Sequence, residues 1–156
     1  MEVRPPDSDE LDAVVDMWVA LAAGQREHGS HLLPGANRAA VGETFARQLV
    51  VGGLYVAAAD GLLGFVSFAL DTGRYEEDRT RGVVRNLYVR PESREEGVGS
   101  RLLDAAEEAL ATKGAETIRL EAMADNDDAR GFYRRRGYDP HRVAFEKRVE
   151  SDTRRD

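Results

Sequence analysis

The sequence contains no cysteine, which excludes disulfide bonds, thiolate metal sites and a cysteine nucleophile. Lysine is also scarce, because Lys113 and Lys147 are the only two lysines among 22 basic residues. Asp and Glu together number 29, so the net charge is −7. We expect no nucleic-acid partner, since phosphate binding needs a basic face. The acidic, lysine-poor composition fits either adaptation to high salt or a genome that favours arginine codons.

Long hydrophobic runs are missing as well. No stretch is long enough to span a bilayer, and no basic-then-apolar leader opens the chain. We therefore expect no membrane partner and a cytoplasmic protein. No cluster of His, Asp and Glu has metal-ligand spacing, so no metal is expected. The 156 residues suit one domain over residues 1–150, with 151–156 as a disordered tail.

Hydrophobic periodicity predicts ten elements in the order β-α-α-β-β-β-α-β-α-β. The fourth strand, the helix after it and the next strand should form a right-handed parallel crossover. The predicted fold class is α/β (α+β), with a mixed, mostly antiparallel central sheet, one parallel crossover, and helices on both faces. The predicted strands are 2–6, 54–60, 62–71, 83–89, 117–124 and 143–149, and the predicted helices are 11–22, 38–50, 98–113 and 126–136.

A glycine-containing turn, Arg94-Glu95-Glu96-Gly97-Val98-Gly99, joins the fourth strand to the third helix. Glycines at such a junction let backbone N–H groups face an anion at the helix N-terminus. A Walker loop is excluded because its Gly-Lys-Ser/Thr ending is absent, and a dinucleotide fingerprint lacks its third glycine, where Leu102 stands. Two interpretations remain open: a diphosphate cradle, or a plain connection whose glycines only permit a tight turn.

Two longer segments resemble the GNAT superfamily of N-acetyltransferases. Residues 86–110 are similar to its coenzyme A segment, which is a strand ending Leu-Tyr-Val-x-Pro, then Arg/Gln-x-x-Gly-x-Gly/Ala, then a leucine- and alanine-rich helix. Residues 120–140 are similar to its second segment. The closest resemblance in pattern is to the ribosomal-protein alanine N-acetyltransferase branch. The matching residues are Arg94, Gly97, Gly99, Asn126, Ala129, Phe132, Tyr133, Gly137 and Tyr138.

This resemblance implies an acyltransferase that moves an acetyl group from acetyl-CoA to a primary amine by direct attack. Family members splay their central parallel strands, so the backbone there can hold the pantetheine arm and stabilise the developing oxyanion. The turn would hold the pyrophosphate, and an arginine near the end of the last helix would approach the 3′-phosphate. The implied cofactor-binding residues are Leu87, Tyr88, Val89, Arg94, Glu95, Glu96, Gly97, Val98, Gly99, Ser100, Asn126 and Arg136.

The resemblance also implies two catalytic residues. Tyr133 occupies the position of the family's general acid, whose phenol is protonated at neutral pH. Glu121 occupies the position of the base proposed in the alanine branch, and an acid inside a buried strand is unusual. The alternatives are that Tyr133 is a core aromatic and that Glu121 is an outward carboxylate paired with an arginine. The weaker candidates are Glu76, Glu77, Asp78, His28 and His31.

The acceptor is expected to be an amine, on either a small molecule or a protein, and the sequence leaves open whether the chain is a monomer or a homodimer. A second class of function is a non-catalytic acetyl-CoA sensor or regulatory module. The preserved glycines allow both functions, whereas Tyr133 favours the enzyme.

Overall fold

The structure is a computed structural model that describes residues 1–149. The predicted disordered tail, residues 151–156, lies outside the described residues. The chain divides into two compact units, of which the first is Met1–Met123 and the second begins at Ala124. In the described part of the chain, no helix combines the length and apolar character needed to cross a membrane.

The first unit is a five-stranded mixed sheet with three helices. Its strands follow one another across the sheet in chain order, and every neighbouring pair is antiparallel except the last, β4 with β5. This confirms the predicted mostly antiparallel sheet with one parallel crossover. The elements are β1 (Glu2–Arg4), α1 (Leu11–Arg26), α2 (Arg38–Val51), β2 (Leu54–Ala58), β3 (Leu62–Asp71), β4 (Arg81–Val89), α3 (Val98–Thr112) and β5 (Thr117–Arg119).

Two adjacent residues of β3 show that helices cover both faces of the sheet. Phe65 packs edge-on against Phe45 of α2, with ring centroids 5.5 Å apart. Its neighbour Gly64 faces α3, because a Cβ at that position would lie 3.3 Å from Leu102. Successive residues of a strand point to opposite faces, so α1 and α2 lie on one face and α3 lies on the other. The main buried cluster on the α1 side comprises Val14, Val15, Met17, Trp18, Ala22, Phe45, Leu54, Val56, Phe65 and Tyr88.

The second unit contains one helix, α4 (Asp127–Arg135), and no strand among residues 124–149. The predicted strand 143–149 is therefore wrong, and Phe145 within it is 92% exposed. The predicted strand 117–124 is also too long, since β5 ends at Arg119. Both errors have one cause: an alternating apolar pattern shows that a segment can pair, but the hydrogen bonds of a strand require a partner at the right place.

Candidate active site

β4 continues beyond the end of its parallel partner. The parallel ladder pairs residues 81–83 with β5 and stops at the pair Val83–Arg119. The antiparallel ladder to β3 continues as far as Val89. Among the described residues, positions 84–89 of β4 therefore have no strand beside them on the β5 side. We call this stretch the open edge of β4.

Backbone alternation decides which groups face the open edge. The Arg90 N–H donates to the Leu63 carbonyl at 2.8 Å, so Arg90 and, two residues earlier, Tyr88 direct their backbone groups toward β3. Leu87 and Val89 direct theirs toward the open edge. The Val89 carbonyl accepts a bond from Nε of the nearby arginine side chain at 2.9 Å. The N–H of Val89 and both backbone groups of Leu87 are thus directed toward a neighbour that could bind along the edge.

A β-bulge lies at the start of the open edge. The register between β3 and β4 shifts after Ser67, so Arg85 is an extra residue with no partner in β3. Next to it, Asn86 Nδ2 donates to Ser67 Oγ at 2.8 Å. A bulge bends its strand and increases the local twist, and this one follows closely on Val83, the last residue paired with β5. The bulge thus bends β4 near the point where its pairing with β5 ends, and no pattern in the sequence predicted the bulge.

The turn that follows β4 adopts the geometry expected of an anion cradle. After a short 3-10 turn at Pro91–Ser93, two residues take left-handed conformations, Glu95 at φ 65° and Gly97 at φ 83°. A side chain at Gly97 would be strained by this φ, although a Cβ there would meet nothing within 4 Å. The turn is therefore open to a ligand on the side of Gly97.

The N-terminus of α3 leaves several backbone donors unused. Its first helical hydrogen bond runs from the Arg101 N–H to the Gly97 carbonyl at 3.1 Å. The N–H groups of Val98, Gly99 and Ser100 consequently have no acceptor within the helix, and no side chain in residues 1–149 caps it. Free donors combined with the positive end of the helix dipole favour a bound anion.

Two predicted cofactor residues have different surroundings from their neighbours. The Tyr88 side chain is buried against Phe65 in the core, and its backbone groups face β3 and not the open edge. The Arg94 side chain turns back onto β4, where it donates to Val89 and its guanidinium carbon lies 5.7 Å from the Tyr88 ring centroid. Arg94 therefore joins the turn to the end of the strand. Glu96, like the residue before it, is exposed.

Glu121 lies two residues beyond the end of β5, and its side chain is exposed. Glu121 is therefore not an acid within a buried strand, and that expectation is wrong. Its role as base stays a prediction. Of the weaker candidates, Glu77 forms an ion pair with Arg81 at 3.2 Å, so its carboxylate already has a partner at the start of β4.

In the second unit, Tyr133 is a half-buried aromatic residue of α4. Its ring centroid lies 5.5 Å from that of Phe132 and 6.0 Å from that of Tyr138. Burial raises the pKa of the Tyr133 phenol above its ordinary value, so the group keeps its proton throughout the neutral range. The ring is packed and the phenol is protonated, which suits a core aromatic and a proton donor alike. Arg136, just after the helix, is half-buried.

Asn126, predicted to contact the cofactor, is the N-cap of α4. Its Oδ1 accepts a hydrogen bond from the Ala129 N–H at 3.2 Å. Replacing Asn126 by alanine is expected to lower the free energy of unfolding by about 1 kcal/mol, because a helix donor loses its acceptor. The melting temperature should fall by about 2–4 °C. Asn126→Asp preserves the cap and should match the wild type in thermal unfolding. An equal loss in both variants would contradict this account.

Comparison with known proteins identifies the family. The sequence profile of the acetyltransferase (GNAT) family matches residues 16–138. The chain belongs to the GNAT family. An uncharacterized N-acetyltransferase of Archaeoglobus fulgidus is 30% identical over 139 residues, which cover 85% of this chain and 89% of that protein.

Solved GNAT structures share the fold. The structure of a GCN5-related N-acetyltransferase from Ralstonia eutropha is 25% identical, with a TM-score of 0.73 and coverage of 95% of this chain and 97% of that one. An aminoglycoside N-acetyltransferase, AAC(6')-Iy, solved in complex with CoA, has a TM-score of 0.72 at 19% identity and covers 94% and 93%. At that identity the likeness concerns the fold alone.

As a GNAT protein, the chain is an acetyl-CoA-dependent N-acetyltransferase. Its residues fit the co-substrate, because the unused N–H groups of Val98, Gly99 and Ser100 suit a diphosphate and the open edge of β4 suits an amide-containing arm. A cavity of about 540 Å³ elsewhere in the first unit, between β1, β2 and α3, contains none of the predicted site residues. Sequence reasoning missed Arg85, Asn86 and Ser67, since only the register of β3 with β4 brings them to the open edge.

Proposed function

We propose that this GNAT enzyme holds acetyl-CoA along the open edge of β4 and at the N-terminus of α3, and acetylates a primary amine. The observation that carries the proposal is the continuity of these two features in the chain. Backbone groups of Leu87 and Val89 face the open edge, and the uncapped helix begins at Val98, a few residues later. One short segment thus supplies donors for both an arm and a diphosphate.

Acetyl-CoA supplies the acetyl group as an activated thioester. The N–H of Val89 donates toward the acetyl carbonyl oxygen, where negative charge develops, and comparable donors in acyl transfer contribute about 3–4 kcal/mol. The backbone donors of residues 95–100 hold the diphosphate. The Arg94 side chain links the turn to the end of β4, and Asn126 caps the N-terminus of α4. We assign the 3′-phosphate to Arg136, on the resemblance.

The protons are moved by two side chains. The attacking amine must be neutral, and we propose that Glu121 accepts its proton through a water molecule. As the amine nitrogen forms the new N–C bond, the C–S bond breaks and its electron pair stays on sulfur. The phenol of Tyr133 gives its proton to that sulfur, and the proton that the new amide nitrogen must lose passes through solvent to the resulting phenolate. A thiol has a pKa near ~8.5, so its release needs only modest help from an acid.

Replacing Glu121 by glutamine is expected to lower kcat/KM about tenfold at pH 7, or roughly 1.4 kcal/mol in the barrier. The loss should shrink as the pH approaches the pKa of the acceptor amine, because the neutral amine then no longer needs a base. A pH profile of thiol release measures this. Glu43→Gln, an exposed carboxylate on α2, serves as the matched control. A pH-independent loss would argue against Glu121 as the base.

One experiment separates the enzyme from the sensor. Acetyl-CoA affinity is measured by calorimetry, and thiol release is followed with a panel of amines at low and high salt. Binding together with turnover of any amine supports the enzyme. Tight binding without turnover on every acceptor supports the regulatory module, and absence of binding contradicts both.

Finer features of the proposal follow from the sequence. We propose a single functional domain over residues 1–150, acting in the cytoplasm on an amine acceptor without metal, nucleic acid or membrane. Membership of the ribosomal-protein alanine N-acetyltransferase branch stays a prediction, which a peptide beginning with alanine tests within the panel. Light scattering distinguishes a monomer from a homodimer.

A further inference from the structure

Arg119 occupies the fork where β4 and β5 separate. It is the last residue of β5, and its register partner Val83 is the last residue of β4 in the parallel ladder. The open edge of β4 begins at the next residue. A ligand bound along that edge would therefore have one end near the turn before α3 and its other end near Arg119.

The side of the sheet on which Arg119 lies follows from its neighbours. A Cβ at Gly82 would lie 2.9 Å from Leu110 of α3, so Gly82 faces α3. Val83 and its partner Arg119 therefore face the opposite side, which α1 and α2 cover at the other end of the strands. Asn86 and Ser67, bonded to each other at 2.8 Å, lie on this side too. The fork is thus lined by polar groups on the side of the sheet opposite α3.

An arginine cluster surrounds the fork, and one of its members is already neutralised. Arg81 donates twice to Asp71 Oδ2, at 3.1 and 2.7 Å, and pairs with Glu77 at 3.2 Å. The hydrogen bond from Arg81, together with the positive charges of Arg81, Arg119 and Arg85, holds the pKa of Asp71 below its usual range although burial opposes this. Arg85 and Arg119 consequently lie near a carboxylate that is already paired with Arg81 through its Oδ2.

Arg85 and Arg119 retain donors for a ligand. Arg85 is the exposed bulge residue of β4, and its side chain makes no hydrogen bond with the described residues. The Nε of Arg119 is buried, and nothing in residues 1–149 accepts its hydrogen bond. A buried donor without an acceptor destabilises a structure, and a ligand oxygen removes that deficit. A guanidinium group suits a carboxylate, which it binds through charge-assisted hydrogen bonds.

We propose that the acceptor of this enzyme is a primary amine that also carries a carboxylate, and that Arg119 and Arg85 bind the carboxylate at the fork. This inference rests on the proposed function, since it takes the open edge of β4 as the place of acetyl transfer. The carboxylate would orient the amine toward the edge. Of the three acidic residues at 76–78 in the loop after β3, Glu77 is already paired with Arg81. A free amino acid and an acidic peptide share the required chemistry.

The test compares matched acceptors with the full-length protein and saturating acetyl-CoA. Amino acids are paired with their carboxamides, and acidic peptides with neutral ones, and rates are corrected for the neutral fraction of each amine. The carboxylate member of each pair should have at least about a tenfold higher kcat/KM, mostly through KM. Comparing the free amino acids with the acidic peptides shows which of the two kinds of molecule is the preferred acceptor. Arg85→Gln and Arg119→Gln should abolish this preference, and Arg119→Lys should retain part of it. Arg47→Gln, an exposed arginine of α2, is the control.

A second measurement does not depend on turnover. N-acetylated amino acids, the products, are titrated calorimetrically into the protein without acetyl-CoA, and thermal unfolding confirms that each variant is folded. Weaker binding to Arg85→Gln and Arg119→Gln supports the inference, whereas no binding to the wild type overturns it. Turnover of carboxamides or polyamines with no gain from a carboxylate also overturns it, but leaves acetyl transfer intact. Failure to bind acetyl-CoA contradicts the proposed function instead, and the product titration still decides the role of the arginines.

Discussion

Replacing Gly97 by aspartate is expected to weaken acetyl-CoA binding about 100-fold, or roughly 2.8 kcal/mol. The residue lies at φ 83°, in the turn whose backbone donors precede the uncapped α3. Two unit charges 4 Å apart interact by about 4 kcal/mol near a protein surface, so a carboxylate at this point strongly opposes a diphosphate. Calorimetric titration with acetyl-CoA, repeated at increasing salt, measures the loss and its electrostatic part.

Two companion variants separate charge from conformation. Gly97→Asn introduces a side chain of the same size without charge, and asparagine tolerates left-handed backbone. It should lose much less affinity than the aspartate variant. Gly52→Asp places the same carboxylate at a glycine with φ 79° and open space around it, at the end of α2. This control should bind acetyl-CoA normally. An unchanged affinity of Gly97→Asp for acetyl-CoA would contradict the proposal that this turn binds the diphosphate.

Replacing Tyr133 by phenylalanine is expected to lower kcat about 100-fold with little change in acetyl-CoA affinity. General acids contribute about 10²–10⁴-fold, and the lower end applies because a thiolate is a moderately good leaving group. The aromatic ring remains, so its packing against Phe132 and Tyr138 should be preserved. Single-turnover thiol release and a separate binding titration distinguish turnover from affinity.

The control for Tyr133 is Tyr55→Phe, which removes a phenol from a half-buried ring that packs against Phe68 at 5.2 Å. It should leave kcat unchanged. The pH dependence gives a further check, because burial raises the pKa of the Tyr133 phenol. The raised pKa means that an alkaline fall in kcat from this group should begin at a higher pH than for an ordinary tyrosine. A wild-type rate in Tyr133→Phe would leave the residue as a core aromatic.

The sequence motif at the open edge of β4 predicts the local elements but not the orientation of their side chains. The pattern from Leu87 to Gly99 predicts a strand, a turn and a helix, and each is observed. It does not predict that Tyr88 turns its side chain into the core or that Arg94 folds back onto β4. These outcomes depend on which face of the strand α1 and α2 cover, and those helices precede it by many residues.

The sequence by itself determined the order of the helices and most strands and the mixed sheet, because hydrophobic periodicity and turn chemistry act over a few neighbouring residues. The family followed from the resemblance of residues 86–110 and 120–140 to its two segments. Only the tertiary structure decided where pairing stops. It ended β5 at Arg119, placed the bulge at Arg85 and left 143–149 without a strand. Strand pairing and burial join residues far apart in the chain, so the open edge of β4 and the arginines at its fork exist only once the sheet has formed.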